Sequence, residues 1–112
     1  MVGERCEQLQ NMIFSMYHRM SEDYRGGDWD WYRLSNGGVY VAPRIGGTVS
    51  ISCENMYRAE VSAQAAGLIA CAMAYSYLSL AAGGDCYGRG YLLLFPYLAQ
   101  QPDAACIFAA LD

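Results

Sequence analysis

The most constraining feature of this 112-residue sequence is a run of 18 residues without a charged side chain, from Ala65 to Ala82. The run has the length at which a membrane-spanning helix must be considered. It is rich in Ala, Gly, Ser and Tyr rather than Leu and Ile, and it lacks the flanking Lys or Arg typical of membrane spans. Because apolar residues occupy all sides of the helix, the run predicts a core helix that the rest of the chain surrounds.

Size and charge restrict the class of protein further. A chain of this length can bury one core, so residues 1–112 are predicted to form a single domain. Seven Arg and no Lys face eleven acidic residues, which gives a net charge of −4. Because non-specific affinity for nucleic acid comes mainly from basic side chains, we expect no direct nucleic-acid binding. Eleven acids diluted by seven Arg are also too few for a mimic of DNA.

The cysteines and the N-terminus indicate the compartment. The five Cys are an odd number without a C-x-x-C spacing, and three of them fall in stretches that are predicted to be helical. Such residues are typical of a reducing compartment. Glu4 and Glu7 precede any apolar run, which argues against a signal peptide. We therefore expect a cytoplasmic protein with no membrane partner.

The first half of the chain predicts one helix and four strands. Apolar residues recur every three or four positions from Glu4 to Met20, as in an amphipathic helix. The run Trp29 to Leu34 and the run Val39 to Ala42 predict two strands joined by an Asn-Gly-Gly turn, whose residues tolerate positive φ. Apolar and polar residues alternate over 48–54 and 57–61, which predicts two more strands of an antiparallel sheet.

The second half predicts helices. Ser62 is placed to cap the central helix, which begins at Ala63 and ends at Gly83-Gly84. The following "GGDCYGRGYLLL" predicts a loop. Pro96 predicts either a kink in a continuous helix or the start of a new one, and Pro102 predicts the first position of a last helix. The fold class is therefore α+β, a four-stranded antiparallel meander packed against helices around a long buried Ala-rich helix.

Catalytic and metal sites find little support. His18 and Cys6 lie twelve residues apart on one predicted helix, which separates them by roughly 18 Å and excludes a dyad. Asp28 and Asp30 have the first two spacings of a calcium loop, but Tyr32 stands at the third ligand position. Zinc would need several Cys or His at short spacings. The sequence predicts no metal and no cofactor.

One pair of carboxylates remains a candidate for general acid and base chemistry. Glu54 and Glu60 fall near the ends of adjacent predicted strands, on the face that alternation leaves to solvent. Close together, they could serve as the general acid and base of a small hydrolase. A solvated sheet face explains both residues equally well. We adopt that second interpretation, which makes an enzyme the weaker class.

Aromatic residues concentrate in the first predicted hairpin. Strand alternation sends Trp29 and Trp31 to one face and Asp30 and Tyr32 to the other, so both faces carry aromatic rings. One set can pack in the core. The other set must be covered by a helix or exposed, and exposed Trp and Tyr commonly anchor protein interfaces.

Three stretches in order resemble a known family. They are "YRGGDWDWYRLSNGGVYVAP", "YRAEVSAQAAGLIACAMAYSYLSL" and the ending "LAQQPDAACIFAALD". Together they resemble the antirestriction proteins of plasmids and phages, of the ArdB and KlcA type, over nearly the whole chain. The resemblance implies a compact α+β domain that protects incoming DNA from host defence, usually type I restriction. It also implies that the protein neither cuts nor modifies DNA and does not mimic it.

We therefore expect a non-enzymatic inhibitor of a host DNA-defence complex that acts by protein–protein contact, as a monomer or a homodimer. Type I restriction is the first expected target. A CRISPR effector inhibited by the same fold is the alternative, because Pro96 and the absence of Lys depart from the family pattern. A structural subunit of a mobile-element control complex also stays open. The expected partner-binding residues are Asp28, Trp29, Asp30, Trp31, Asn36, Tyr40, Glu54 and Glu60.

Overall fold

The charge-free run forms the central helix α2, Ala63–Ala81, in a computed structural model that describes residues 4–21, 29–44, 47–53, 55–81 and 85–111. The helix is capped as predicted, because the Ser62 hydroxyl accepts a 3.0 Å hydrogen bond from the Ala65 amide. By length and composition the segment Ala63–Leu80 could cross a membrane, yet 67% of it is buried inside the domain. The prediction of a buried Ala-rich central helix is confirmed.

The other described helices pack around α2. Helix α1, Glu4–Met20, has the predicted bounds, and its apolar stripe places Leu9 and Ile13 in the core with no more than 1% exposure. Helix α3 is Asp85–Ala99, and helix α4 is Ala104–Leu111. Each fully buried Leu or Ile stabilises the fold by roughly 1.5–3 kcal/mol. The buried side chains form one hydrophobic cluster around α2.

Two antiparallel hairpins complete the α+β fold. Their strands are β1, Trp29–Arg33; β2, Val39–Pro43; β3, Thr48–Ser52; and β4, Arg58–Ser62. In the second hairpin Val49, Ile51 and Val61 are buried, whereas Ser50, Ser52 and Glu60 are exposed. The predicted alternation is thus confirmed, and the strand bounds differ from the predicted ones by one or two residues.

The four strands do not form one sheet. The predicted meander is wrong at the junction between β2 and β3, because the described strands pair only as β1 with β2 and β3 with β4. The edge of β2 that a third strand would need is taken by α2. The Cys71 thiol lies 3.2 Å from both the amide nitrogen and the carbonyl oxygen of Val41, and the Tyr75 hydroxyl donates to the Val39 carbonyl at 2.7 Å. Helix side chains therefore satisfy polar groups that another strand would otherwise pair.

The predicted loop after the central helix is also wrong. Helix α3 begins at Asp85, within the "GGDCYGRGYLLL" stretch. A Cβ atom at Gly90 would lie 2.4 Å from the Tyr75 ring, so the glycine allows α3 to approach α2 closely. Tyr87, one turn before, is buried and donates to the Gln8 side chain of α1 at 2.9 Å. Tertiary packing here outweighs the low helix propensity of glycine.

The two prolines of the C-terminal half differ in their position relative to the helices. Pro96 lies inside the continuous helix α3, so it does not start a new helix. Pro102 lies in the turn before α4 rather than at the first helical position, where Ala104 stands. The predicted helix stop at Gly83-Gly84 lies outside the described residues.

Candidate functional site

Strand β1 directs one aromatic side chain towards α1 and leaves two at the surface. The Trp29 ring centroid lies 4.8 Å from that of Phe14 and 5.1 Å from that of Tyr17. Trp31 and Tyr32 are 42% and 43% exposed. The hairpin therefore carries aromatic rings on both faces, as the alternation predicts. Of the two Trp expected in the contact surface, Trp31 is the more accessible.

Asp30 forms an ion pair with Arg44. The Arg44 Nε atom lies 3.1 Å from each oxygen of the Asp30 carboxylate. Mainly through this hydrogen bonding, Arg44 lowers the pKa of Asp30 below its usual value, against a weaker opposing effect of desolvation. Asp30 thus lies on the hairpin as expected, but its negative charge is balanced locally.

Asn36 holds the turn of the first hairpin to helix α3. Its side-chain oxygen accepts from the Gly38 amide at 2.9 Å, and its side-chain nitrogen donates to the Leu93 carbonyl at 2.8 Å. Gly37 has a φ of 92°, the left-handed region that the Asn-Gly-Gly turn predicts. The amide of Asn36 is therefore engaged at both ends in positioning the hairpin.

Three tyrosine rings stack across the hairpin and α3, and we call them the tyrosine ladder: Tyr32, Tyr40 and Tyr97. The rings of Tyr32 and Tyr40, which face each other across the strands, have centroids 4.9 Å apart and planes inclined by 16°. The rings of Tyr40 and Tyr97 are 5.4 Å apart at 29°. Tyr40 is only 4% exposed, so the accessible rings of the ladder belong to its two neighbours.

The hydroxyl ends of the ladder join a hydrogen-bond network with α2. The Tyr40 and Tyr97 hydroxyl oxygens lie 3.3 Å apart, and the Gln64 side-chain nitrogen lies 3.3 Å from the Tyr97 hydroxyl and from the Gln101 side-chain oxygen. Burial, and then the hydrogen bond to Tyr97, raises the pKa of Tyr40 well above its ordinary value. Tyr40 consequently stays uncharged at neutral pH, and its ring is held between those of Tyr32 and Tyr97.

The expected acidic residues do not all share one surface. Glu60 lies on β4 of the second hairpin, exposed and opposite Ser50, on a different sheet from Asp30. Asp28 and Glu54 lie outside the described residues. The pairing of Glu54 with Glu60 thus stays a prediction. Within the described ranges, no group of three or more His, Cys, Asp or Glu side chains could hold a metal ion.

Sequence reasoning misses Tyr97, Gln64 and Arg44. Tyr40 and Tyr97 are 57 positions apart and lie on a strand and a helix, so no local periodicity connects them. The pairing of Arg44 with Asp30 could have been found from the hairpin register. Asp30 lies opposite Ala42, so Arg44, two positions after Ala42, lies diagonally across from Asp30. A charged residue on that diagonal is a candidate ion-pair partner.

Comparison with known proteins identifies the family. Residues 22–112 match the model of the antirestriction protein family. The KlcA antirestriction protein of Escherichia coli is 34% identical over 106 residues, which cover 90% of this chain and 75% of KlcA. The chain belongs to the antirestriction protein family, as the sequence resemblance predicts.

Other relatives extend the same match. The uncharacterized proteins YafX and YfjX of Escherichia coli K12 are 35% and 34% identical over 107 residues, which are 93% of this chain and 70% of each relative. A solved structure of the KlcA and ArdB proteins matches with a TM-score of 0.85 and 30% identity, covering 100% of this chain and 92% of that chain. Those proteins have a novel fold and antirestriction activity against type I DNA restriction systems in vivo but not in vitro.

Proposed function

We propose that this protein protects incoming DNA from type I restriction inside the bacterial cell, by contact with the restriction complex and without chemical turnover. The observation that carries the proposal is the match over the whole chain to the KlcA and ArdB structure, whose proteins act on type I systems in vivo but not in vitro. Family membership over residues 22–112 supports the same activity. The proposed site of action is the cytoplasm.

The proposed contact surface centres on the first hairpin. Trp31 and Tyr32 supply exposed aromatic area, the residue types that most often carry binding energy at protein interfaces. Glu60 adds an exposed carboxylate on the second hairpin, and Arg44 reduces the contribution of Asp30. Complementarity with a basic DNA channel on the target would speed association and weaken with salt. The full proposed set is Asp28, Trp29, Asp30, Trp31, Asn36, Tyr40, Glu54 and Glu60.

The first test is the plating efficiency of unmodified phage on matched hosts. One host carries a type I restriction system, one carries a CRISPR system and one carries neither, each with and without the expressed protein. We expect higher plating only in the restricting host. Because the solved relatives lack activity in vitro, we also expect purified protein to leave purified restriction enzyme active. Protection in the CRISPR host alone would show that the target is a CRISPR effector and not a type I restriction complex.

A substitution tests the surface itself. We expect Trp31→Ala to abolish most protection, because truncating an interface anchor of this type typically costs about 2 kcal/mol or more of binding, which is roughly 30-fold in affinity. Tyr77→Ala is the matched control, since Tyr77 is 50% exposed on α2 and borders a cavity beside Ser52 and Asn55 that contains no residue of β1 or β2. Both variants should retain wild-type circular dichroism. Full protection by a folded Trp31→Ala protein would remove the hairpin from the contact surface.

Reversing the charge of Glu60 and removing the charge of Asp30 test the electrostatic part of the contact separately. We expect Glu60→Arg to lower protection and Asp30→Asn to change it less, because Arg44 already balances Asp30. Plating efficiency measures both variants at equal expression. If both variants protected as well as the wild-type protein, the contact would depend on the aromatic residues and not on these two charges.

A further inference from the structure

A small open cavity lies between the turn of the first hairpin and the C-terminal end of α3. Its volume is about 390 Å³, within the range of small-molecule sites. The residues that line it are Tyr32, Arg33, Leu34, Ser35, Asn36, Tyr40, Pro96, Tyr97 and Gln100. Tyr32, Asn36 and Tyr40 also belong to the contact surface proposed above, but the proposed function assigns no small ligand to this cavity.

The wall of the cavity is a fixed aromatic platform. Tyr32 is 43% exposed and lies nearly parallel to the Tyr40 ring behind it. Tyr40 is held in turn by the Tyr97 ring and by the Tyr97 hydroxyl. Because the ladder is already stacked, a planar group that joins it has no ring to reorganise. Planar ring systems are the ligands that such a surface favours.

The other lining residues determine the charge of the occupant. None of the described residues that line the cavity is Asp or Glu, so a guanidinium or ammonium group would find no counter-charge among them and would meet Arg33 at the rim. Arg33 is exposed and lines the cavity, but it follows Tyr32 in β1, so its side chain leaves the opposite face of the strand and offers its positive charge to a phosphate oxygen only at the rim of the cavity. Gln100 is exposed too and offers an amide donor and acceptor of the kind that reads the edge of a base. A planar uncharged ring joined to an anion therefore satisfies the cavity better than a cation.

We propose that this cavity binds a nucleoside 5′-phosphate, with the base stacked on the exposed Tyr32 ring and the phosphate directed to Arg33. The same chemistry occurs in a free nucleotide and in one unpaired nucleotide of a single strand, and we favour the free nucleotide because the protein carries a net charge of −4. The site does not depend on the proposed function, since binding is measured on the purified protein alone.

The experiment titrates adenosine 5′-monophosphate into the full chain and follows the Tyr ring signals by NMR. Adenosine and ribose 5-phosphate separate the base from the phosphate, and a short oligo(dA) represents the single-strand source. We expect saturable binding of the monophosphate, weaker binding of adenosine and none of ribose 5-phosphate. Tighter binding of oligo(dA) would assign the site to a strand. The proposal would be overturned if neither adenosine 5′-monophosphate nor oligo(dA) saturated the protein up to about 5 mM, or if N-acetylarginine amide saturated it instead.

Matched substitutions locate the binding. Tyr32→Ala should weaken the monophosphate by about tenfold or more, because it removes the stacking surface, whereas Tyr32→Phe should retain binding. Tyr77→Ala is the control for an exposed tyrosine elsewhere. Arg33→Gln should weaken binding of the monophosphate but not of adenosine. Arg89→Gln, at an exposed position of α3, should weaken binding of neither. Equal binding by folded Tyr32→Ala and wild type would also overturn the proposal.

Discussion

At the scale of single residues, Cys71 links the central helix to the first hairpin. Its side chain is completely buried and bonds both polar backbone groups of Val41. Burial raises the pKa of the Cys71 thiol to about 12, so the group stays protonated and can donate to the Val41 carbonyl at neutral pH. A cysteine commonly serves as a small apolar residue, whereas this one also completes the hydrogen bonding of a strand edge.

We expect Cys71→Ala to lower the free energy of unfolding by about 2–3 kcal/mol, because it leaves a buried amide and carbonyl without their partner and opens a small cavity. Cys71→Ser keeps a donor and an acceptor at this position and should cost about 1 kcal/mol. Urea unfolding followed by circular dichroism measures both. If the serine variant lost as much stability as the alanine variant, the hydrogen bonds to Val41 would not be the cause.

At the scale of elements, glycines govern how closely helices approach their neighbours. A Cβ atom at Gly67 of α2 would lie 2.9 Å from the Ala42 Cα atom and 3.0 Å from the Val41 carbonyl oxygen. Both are backbone atoms of β2, which cannot move aside like the end of a flexible side chain. Among the described residues, a Cβ atom at Gly88 of α3 would meet only the Ser79 Cβ atom, at 3.9 Å. We therefore expect a Gly→Ala substitution to have opposite effects on stability at the two positions.

We expect Gly67→Ala to destabilise the protein by about 1–3 kcal/mol, since the added methyl group forces β2 away from α2. Gly88→Ala should instead stabilise it by about 0.5–1 kcal/mol, because alanine favours the helix and its methyl group has room. The shift of the urea midpoint at constant slope checks both. Destabilisation by both variants would mean that helix α3 also needs a glycine at position 88.

The same elements explain how much the sequence can predict. The pattern of α1, the alternation of the second hairpin and the Ser62 cap depend on neighbours within a few positions, and all three are confirmed. The separation of the hairpins depends on Cys71 and Tyr75 meeting β2 across 30 and 36 positions, which no local pattern reveals. For the candidate site, alternation predicts aromatic rings on both faces of β1, but it does not predict that Trp31 rather than Trp29 is the more exposed, because Trp29 meets Phe14 and Tyr17 only through the tertiary fold. The tyrosine ladder is not predicted either, because Tyr97 joins it only through the tertiary fold.

At the scale of the whole molecule, the first hairpin and the helices form one structure. Strand β2 is bonded to α2 through Val39 and Val41, and Trp29 of β1 packs against α1. The tyrosine ladder adds a third connection, to α3. An exposed hairpin of this length would be marginally stable by itself in water. The proposed contact surface on the hairpin can therefore persist only while the helical core is folded.

This connection predicts that the hairpin and the helices unfold together. Both tryptophans of the chain, Trp29 and Trp31, lie on β1, so tryptophan fluorescence reports on the hairpin while far-ultraviolet circular dichroism reports mainly on the helices. We expect both signals to follow one urea transition with a common midpoint and a slope of about 1–3 kcal/mol/M. Gly67→Ala, placed between β2 and α2, should shift both curves equally. A fluorescence transition at lower urea than the circular dichroism transition would show that the hairpin opens on its own. A partner could then bind the hairpin in an opened state. Coincident transitions would instead mean that the partner meets the hairpin in its folded form.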